Sequence, residues 1–219
     1  MPDLDRDRTL ALSYVPARRR AAVGALWRLD AAMGQALAGG REPLISQIKL
    51  AWWREALEKL DTARAPAEPV LQAVAEHVLP GGIGGAELAR MEQGWSVLLA
   101  QQPLTAEELA LYAATRGGLL FRYTASLLGQ AGEAGIDRAG EVWALADLAR
   151  HSADAQDADN AIAEARARDW RVRWPAALRP LGMLAALGAR DAEEGRPRWE
   201  EQGAPRRMLR MLRMRLTGR

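Results

Sequence analysis

Residues 17–38, ARRRAAVGALWRLDAAMGQALA, decide the fold. Ala22, Leu26, Leu29, Met33 and Leu37 recur along one face at the 3.6-residue period of an amphipathic helix. The whole chain repeats that choice of residues. Its 219 residues include 44 Ala and 31 Leu against 13 Val plus Ile. Ala and Leu head the helix scale, whereas strands favour β-branched and aromatic side chains. No stretch reads as an alternating strand of useful length, so the expected fold is all-α.

Punctuation on either side of this helix sets the remaining elements. A first short helix is expected over residues 3–14, closed by Pro16, and Gly39-Gly40 should end the second, since glycine takes the left-handed cap conformation readily. A third follows Pro43, with Ile45, Ile48, Trp52, Ala56 and Leu60 as its buried stripe. A fourth is opened by Pro66 and Pro69 and stops at Pro80 before the Gly81-Gly82-Ile83-Gly84-Gly85 loop, and a fifth covers residues 86–101. Thr105 and Glu108 form a capping box for a long helix to about Leu128. Another runs from about Asp137 past Asp154, and a last one spans 206–216. The glycine loop is no phosphate cradle, because it follows a helix and lacks a closing Gly-Lys-(Ser/Thr).

Composition removes several function classes. With no cysteine there is no disulfide scaffold, thiolate zinc site or cysteine nucleophile. No apolar run approaches the ~18 residues of a membrane span, and the Asp- and Arg-rich first twenty residues do not read as a signal peptide. The expected location is cytoplasmic, peripheral to the inner membrane. Of 30 basic residues 28 are Arg, only Lys49 and Lys59 being Lys, and the net charge is +2. Residues 196–219 hold eight Arg against Glu200 and Glu201. Basicity is thus confined to the tail, which argues against nucleic acid as a partner. The expected organisation is one helical domain over residues 1–190 with an Arg-rich extension over 191–219.

Several phrases together resemble the squalene/phytoene synthase family. They are Thr9–Pro16 followed by Arg20 and Ala25-Leu26-Trp27, then Leu50-Ala51-Trp52-Trp53-Arg54-Glu55, and then Arg116-Gly117-Gly118-Leu119-Leu120. The helix from Ala139 to Arg150 and the phrase Leu178-Arg179-Pro180-Leu181 also fit. The resemblance covers about residues 5–190 and implies an isoprenoid-synthase bundle. Active members use Asp clusters on two facing helices to hold Mg²⁺ against prenyl diphosphates. Diphosphate departure leaves an allylic cation, so carboxylates must bind hard cations that neutralise the leaving group.

This chain departs from that pattern. The first Asp-rich motif should fall at positions 34, 35 and 38, which are Gly34, Gln35 and Ala38. Asp30 is the lone acid on that helix. In the second motif Asp147 stands in place of an Asn, Arg150 matches the family Arg, and His151 replaces an acid. Asp147, His151 and Asp154 share one helical line, which reads either as a residual metal or diphosphate wall or as a solvated face opposite Val142, Leu145 and Leu148. Asp30 reads as a surface or ion-pairing acid or as a ligand, and Trp52 and Trp53 as packing or a cation-stabilising box. The resemblance implies substrate contacts from Trp53, Arg54 and Arg150, and metal contacts from Asp30, Asp147, His151 and Asp154.

Loss of the first motif points to a non-catalytic member that needs no cofactor, akin to the family branch that assists respiratory complex I assembly. Such a protein would bind a prenyl diphosphate, an isoprenoid lipid or a membrane-complex partner. The alternative is an active Mg²⁺-dependent prenyl-diphosphate transferase with a rearranged metal site. In the tail, Arg206, Arg210 and Arg213 flank a stripe of Met208, Met211, Leu212 and Leu216. That helix either engages an anionic membrane surface or acidic protein, in which case its removal should cost little stability, or packs on the domain.

Overall fold

The computed structural model describes residues 1–38, 42–195 and 199–219. Gly39-Gly40, expected to end the second helix, lies outside these, as do Arg196 and Arg198 of the basic tail. The described residues contain no strand. Helices α1 (Arg6–Ser13), α2 (Ala17–Leu37), α3 (Pro43–Lys59), α4 (Pro69–His77), α5 (Gly85–Ala89) and α6 (Glu92–Val97) make the first half. The second half is α7 (Ala106–Tyr112), α8 (Leu119–Leu127), α9 (Ile136–His151), α10 (Ala155–Ala167), α11 (Arg179–Glu194) and α12 (Pro205–Thr217). One hydrophobic core runs through all of them.

Three sequence expectations are corrected. The fifth helix is two, α5 and α6, with a turn at 90–91. The helix expected to continue past Asp154 stops at His151, and Asp154 instead caps α10, its side chain accepting from the Asp157 N–H at 2.9 Å. The third correction concerns α3. It buries Ser46, Leu50, Trp53, Ala56 and Leu57, while Ile45, Ile48 and Trp52 of the expected stripe stand exposed beside Leu44. Both sides of its first half are apolar, so periodicity could not choose between them; packing against α5 and α6 does. Gly85 permits that packing, since a Cβ there would lie 2.1 Å from the Leu57 carbonyl oxygen. Asp61 accepts from the Gly85 and Ala86 N–H groups, so the glycine-rich loop is an element of helix capping.

α7 and α8 form one continuous helix joined by a π-helical turn over Ala113–Gly118. The turn packs on α9 through paired glycines. A Cβ on Gly117 would fall 2.2 Å from the Gly140 carbonyl oxygen, and one on Gly140 would fall 2.2 Å from that of Gly117. Backbone therefore rests on backbone, and this closeness brings the π turn and α9 to one shared site.

The tail docks as well. The boundary expected near residue 190 falls inside α11. Met211 and Met214 of α12 are buried, whereas Met208, Leu209 and Leu216 are exposed, so only Met211 of the expected apolar stripe is fully inside. Arg207 is buried too, donating to Asp7 of α1 at 2.9 Å and to Asp191 of α11 at 2.6 Å. Arg179 donates to the carbonyls of Arg215 and Leu216, satisfying the open end of α12.

Substituting Gly140→Ala should therefore destabilise the protein by at least the ~1–3 kcal/mol typical of overpacking. Urea unfolding followed by circular dichroism measures this, and wild-type stability in the variant would contradict the glycine-to-glycine contact.

Candidate functional site

Arg116 sits at the middle of the π turn, with almost no exposed surface. An arginine so buried needs countercharge, and two helices supply it. Its Nε donates to Asp30 of α2 at 3.1 Å, and its Nη2 pairs with Asp147 of α9 at 2.7 Å. Its Nη1 donates to the Tyr112 hydroxyl. Three rings surround the guanidinium, with centroids 4.1 Å away for Trp95, 5.0 Å for Trp143 and 5.5 Å for Tyr112. Aromatic faces attract cations most strongly where water is excluded.

Asp30 is itself fully buried. Besides Arg116 it accepts from Arg8 Nη1 of α1 at 2.9 Å and from Trp95 Nε1 at 3.2 Å. Of the sequence readings of Asp30 as a surface or ion-pairing acid or as a ligand, the surface position is corrected, and the carboxylate is ion-paired with Arg8 and Arg116. Asp5 caps α1 by accepting from the Arg8 N–H and also pairs with the Arg8 side chain. Arg8, Arg116, Asp5, Asp30 and Asp147 form one network.

Asp147 is 18% exposed at its side chain, and so is no solvated face. Burial works against its charge, but Arg116 and then His151 hold its pKa well below the usual carboxylate range. His151 is 60% exposed; its Nδ1–H donates to the Asp147 carbonyl at 2.8 Å, and the ring lies 3.3 Å from the Asp147 carboxylate. The hydrogen bond to the Asp147 carboxylate and its negative charge raise the His151 pKa above its ordinary value, and the bond to the carbonyl adds to them. Burial also opposes the charge on Arg116, yet Asp30, Tyr112 and Asp147 keep its pKa well above normal.

This network forms one end of a cleft of about 630 Å³. Gly34, Gln35 and Ala38 line it, so the positions expected for the first Asp-rich motif face the same space as Asp147 and His151. Leu98, Leu104, Leu148 and Trp95 contribute apolar wall.

The other expected site residues lie elsewhere. Asp154 is turned away by the break after α9 and is engaged as a helix cap, so the line of three does not exist. Trp53 is buried beside Ala32, Gln35 and Ala36 in a groove between α2 and α3, with Trp52 edge-on at 5.1 Å. Arg54 is exposed on α3, outside the cleft. Arg150 pairs with Asp191 at 2.9 Å and donates to the Glu200 carbonyl, fastening the tail to α9.

Mg²⁺ requires oxygen ligands free to converge at short distance. Here the oxygens of Asp30 are taken by Arg8, Arg116 and Trp95, and those of Asp147 by Arg116 and His151. Among the described residues no three acidic or histidine side chains group as a metal site would need. The donor set does not fit this ion. Arg8, Trp95, Tyr112 and Arg116 were not singled out as site residues from sequence. The available signal was an arginine followed by two glycines within a long helix, where a charge is out of place unless paired.

A family model described as squalene/phytoene synthase matches residues 1–158. No curated protein and no solved structure matches the chain.

Replacing Arg116 by methionine should remove about 3–5 kcal/mol of stability, because Asp30 would be left as a buried and less compensated charge. Adding Asp30→Asn should return a large part of that loss. Urea unfolding of the two single variants and the double variant measures the coupling, and simple additivity would contradict the network.

Proposed function

The chain belongs to the squalene/phytoene synthase family, and we propose that it is a member without prenyl-transfer chemistry that holds an isoprenoid lipid in its cleft and works beside a membrane-bound complex. One observation carries this reading. The cations at the polar end of the cleft are guanidinium groups already neutralised by Asp5, Asp30 and Asp147. A departing diphosphate needs positive charge available to it as the transition state develops. Charge committed to internal carboxylates is not available in that sense. The apolar wall, by contrast, is suited to a hydrocarbon chain, and retention of a fold without its chemistry is physically unremarkable because function resides in the site.

The competing reading is an active Mg²⁺-dependent transferase. It draws on Asp30 and Asp147 facing one another through Arg116, and it requires Arg116 to leave for ions to enter. Incubating the purified protein with farnesyl and geranylgeranyl diphosphate, with Mg²⁺ or with EDTA, separates the two. No coupled product above a heat-denatured control is expected; product formed only with Mg²⁺ would establish the transferase.

Membrane attachment, in this reading, is peripheral. No helix among the described residues is long and apolar enough to cross a membrane. Along α12, Arg206 and Arg213 are exposed and Arg210 is half-buried, with Met208 and Leu209 exposed among them, an arrangement suited to an anionic surface. Deleting the tail would be an unclean test, because loss of Arg207 strands Asp7 and Asp191. Changing Arg206, Arg210 and Arg213 together to Glu preserves that buried contact. Vesicles containing phosphatidylglycerol should retain the wild type at low salt and release it as salt rises. The triple variant should float free with its unfolding temperature nearly unchanged. Equal retention of both proteins would exclude this face as the attachment.

A further inference from the structure

Helices α11 and α12 pack together, and a groove of about 540 Å³ lies between them. Each helix presents one stripe to it. On α11 the stripe is Ala186, Ala189, Arg190 and Glu193, and on α12 it is Arg206, Leu209, Arg210 and Arg213. Both follow the i, i+3, i+4, i+7 spacing that sets side chains on one face. The two alanines leave room on the α11 side. Leu209, which is exposed, and Trp170, which is half-buried, add apolar surface.

Charge around the groove is unevenly matched. Arg190, Arg206, Arg210, Arg213 and Arg219 line it against one carboxylate, Glu193. Beyond the lining, Glu194 pairs with Arg190, and Glu200 lies 3.9 Å from Arg206. Arg166 of α10 brings a further cation to the end of α11, where it donates to the Ala192 and Glu193 carbonyls. Arg210 and Arg213 have no ion-pair partner among the described residues. Arg213 is exposed and Arg210 half-buried, so neither is sealed from a ligand. Burial and then the charge of Arg190 push the pKa of Arg210 below its ordinary value, against the pull of Glu193, Glu194 and Glu200. A cation under that pressure is stabilised by an anion brought beside it.

The ligand that answers both features joins an anionic centre to a hydrocarbon body. Arginine forks match phosphate oxygens in pairs. A peptide laid over Leu209 and Trp170 would lose water from its backbone groups without finding partners, because the facing helices spend their own backbone groups internally. Hydrocarbon carries no such cost.

We propose that the groove between α11 and α12 seats one anionic phospholipid, its phosphate held by Arg190, Arg210 and Arg213 and the start of its acyl chains resting on Leu209 and Trp170. This inference rests on the peripheral-attachment reading above and adds to it a stoichiometric site, where diffuse attraction to a charged surface would need none.

The test uses the full chain and dihexanoyl phosphatidylglycerol kept below its micelle-forming concentration, with binding read by calorimetry. Saturation at one lipid per chain is expected. Affinity should exceed that for dihexanoyl phosphatidylcholine, and that for the deacylated head glycerophosphoglycerol, by about tenfold or more in each case. Inorganic phosphate and hexaglutamate should bind more weakly than the lipid. Arg210→Lys keeps the charge and removes the fork, so monomeric lipid should bind about fivefold or more weakly, while phosphatidylglycerol vesicles at low salt still retain the protein. Leu209→Ser changes an exposed side chain and should weaken the lipid but not its deacylated head. Circular dichroism and the unfolding temperature should stay those of the wild type in both variants. Equal binding of the two lipids, or of lipid and deacylated head, would overturn the proposal and leave vesicle attachment standing. So would an unchanged affinity in Arg210→Lys. Hexaglutamate binding more tightly than the lipid would overturn it in favour of an acidic protein. Failure of the wild type to bind either monomeric lipid or vesicles would overturn the attachment reading and this inference together.

Discussion

A single guanidinium held between two helices governs the architecture of this protein. Arg116 reaches Asp30 on α2 and Asp147 on α9 from a π turn, and the three elements are held by charge as well as by packing. Burying an arginine is expensive, and the ion pairs alone only offset that cost when geometry and additional partners are good. Here Trp95, Trp143 and Tyr112 complete the enclosure. The π turn matters because it carries Arg116 inward while leaving Gly117 against Gly140, so the chain can bring α9 close enough for Asp147 to reach. Charge, ring cage and glycine contact thus meet at one turn of the chain.

The same constraint sets the electrostatics of the cleft wall. A divalent ion enters with its substrate, leaves with its product and places charge where the leaving group needs it. An arginine is permanent, and its planar donors are satisfied by fixed partners. Placing guanidinium groups among Asp5, Asp30 and Asp147 gives a wall whose charges are paired internally. The facing carboxylates Asp30 on α2 and Asp147 on α9 are joined through Arg116. On the helix of Asp30, Gly34, Gln35 and Ala38 line the cleft without contributing a carboxylate.

How much was legible from sequence follows from which physical signals are local. The limits of α2 and α12, the Thr105 capping box and the absence of strands are set by residues within a few positions, and they could be read directly. The family resemblance, carried by packing phrases, was legible for the same reason. The buried face of α3 was not, because Leu44, Ile45 and Ile48 lie on one side and Leu50 and Trp53 on the other, and only contact with α5 and α6 decides between them. The break between α9 and α10 was hidden in a run of Ala and Asp that continues a helix as readily as it caps one. Asp30 could be identified as unusual, yet its partners lie 22 and 86 residues away. Arg116 carries a signal in the sequence only as part of the resemblance. A buried charge is invisible in sequence until its counterion is located.

The tail shows the same principle acting between chain ends. Asp7 and Arg207 stand 200 residues apart and meet in a buried pair that Asp191 completes, with Gly203 N–H also donating to Asp7. Arg150 grips the same Asp191 from α9. The family model ends at residue 158, but the cleft does not, since Gln202 from the segment before α12 lines it beside Asp3 and Asp5. The extension is therefore part of the cleft wall rather than an appendage to it. Beside Arg207 on α12, Arg206 and Arg213 are exposed, Arg206 lying 3.9 Å from Glu200, and Arg210 is half-buried. One buried arginine thus ties α12 to α1 and α11 and sets which side of the last helix faces inward.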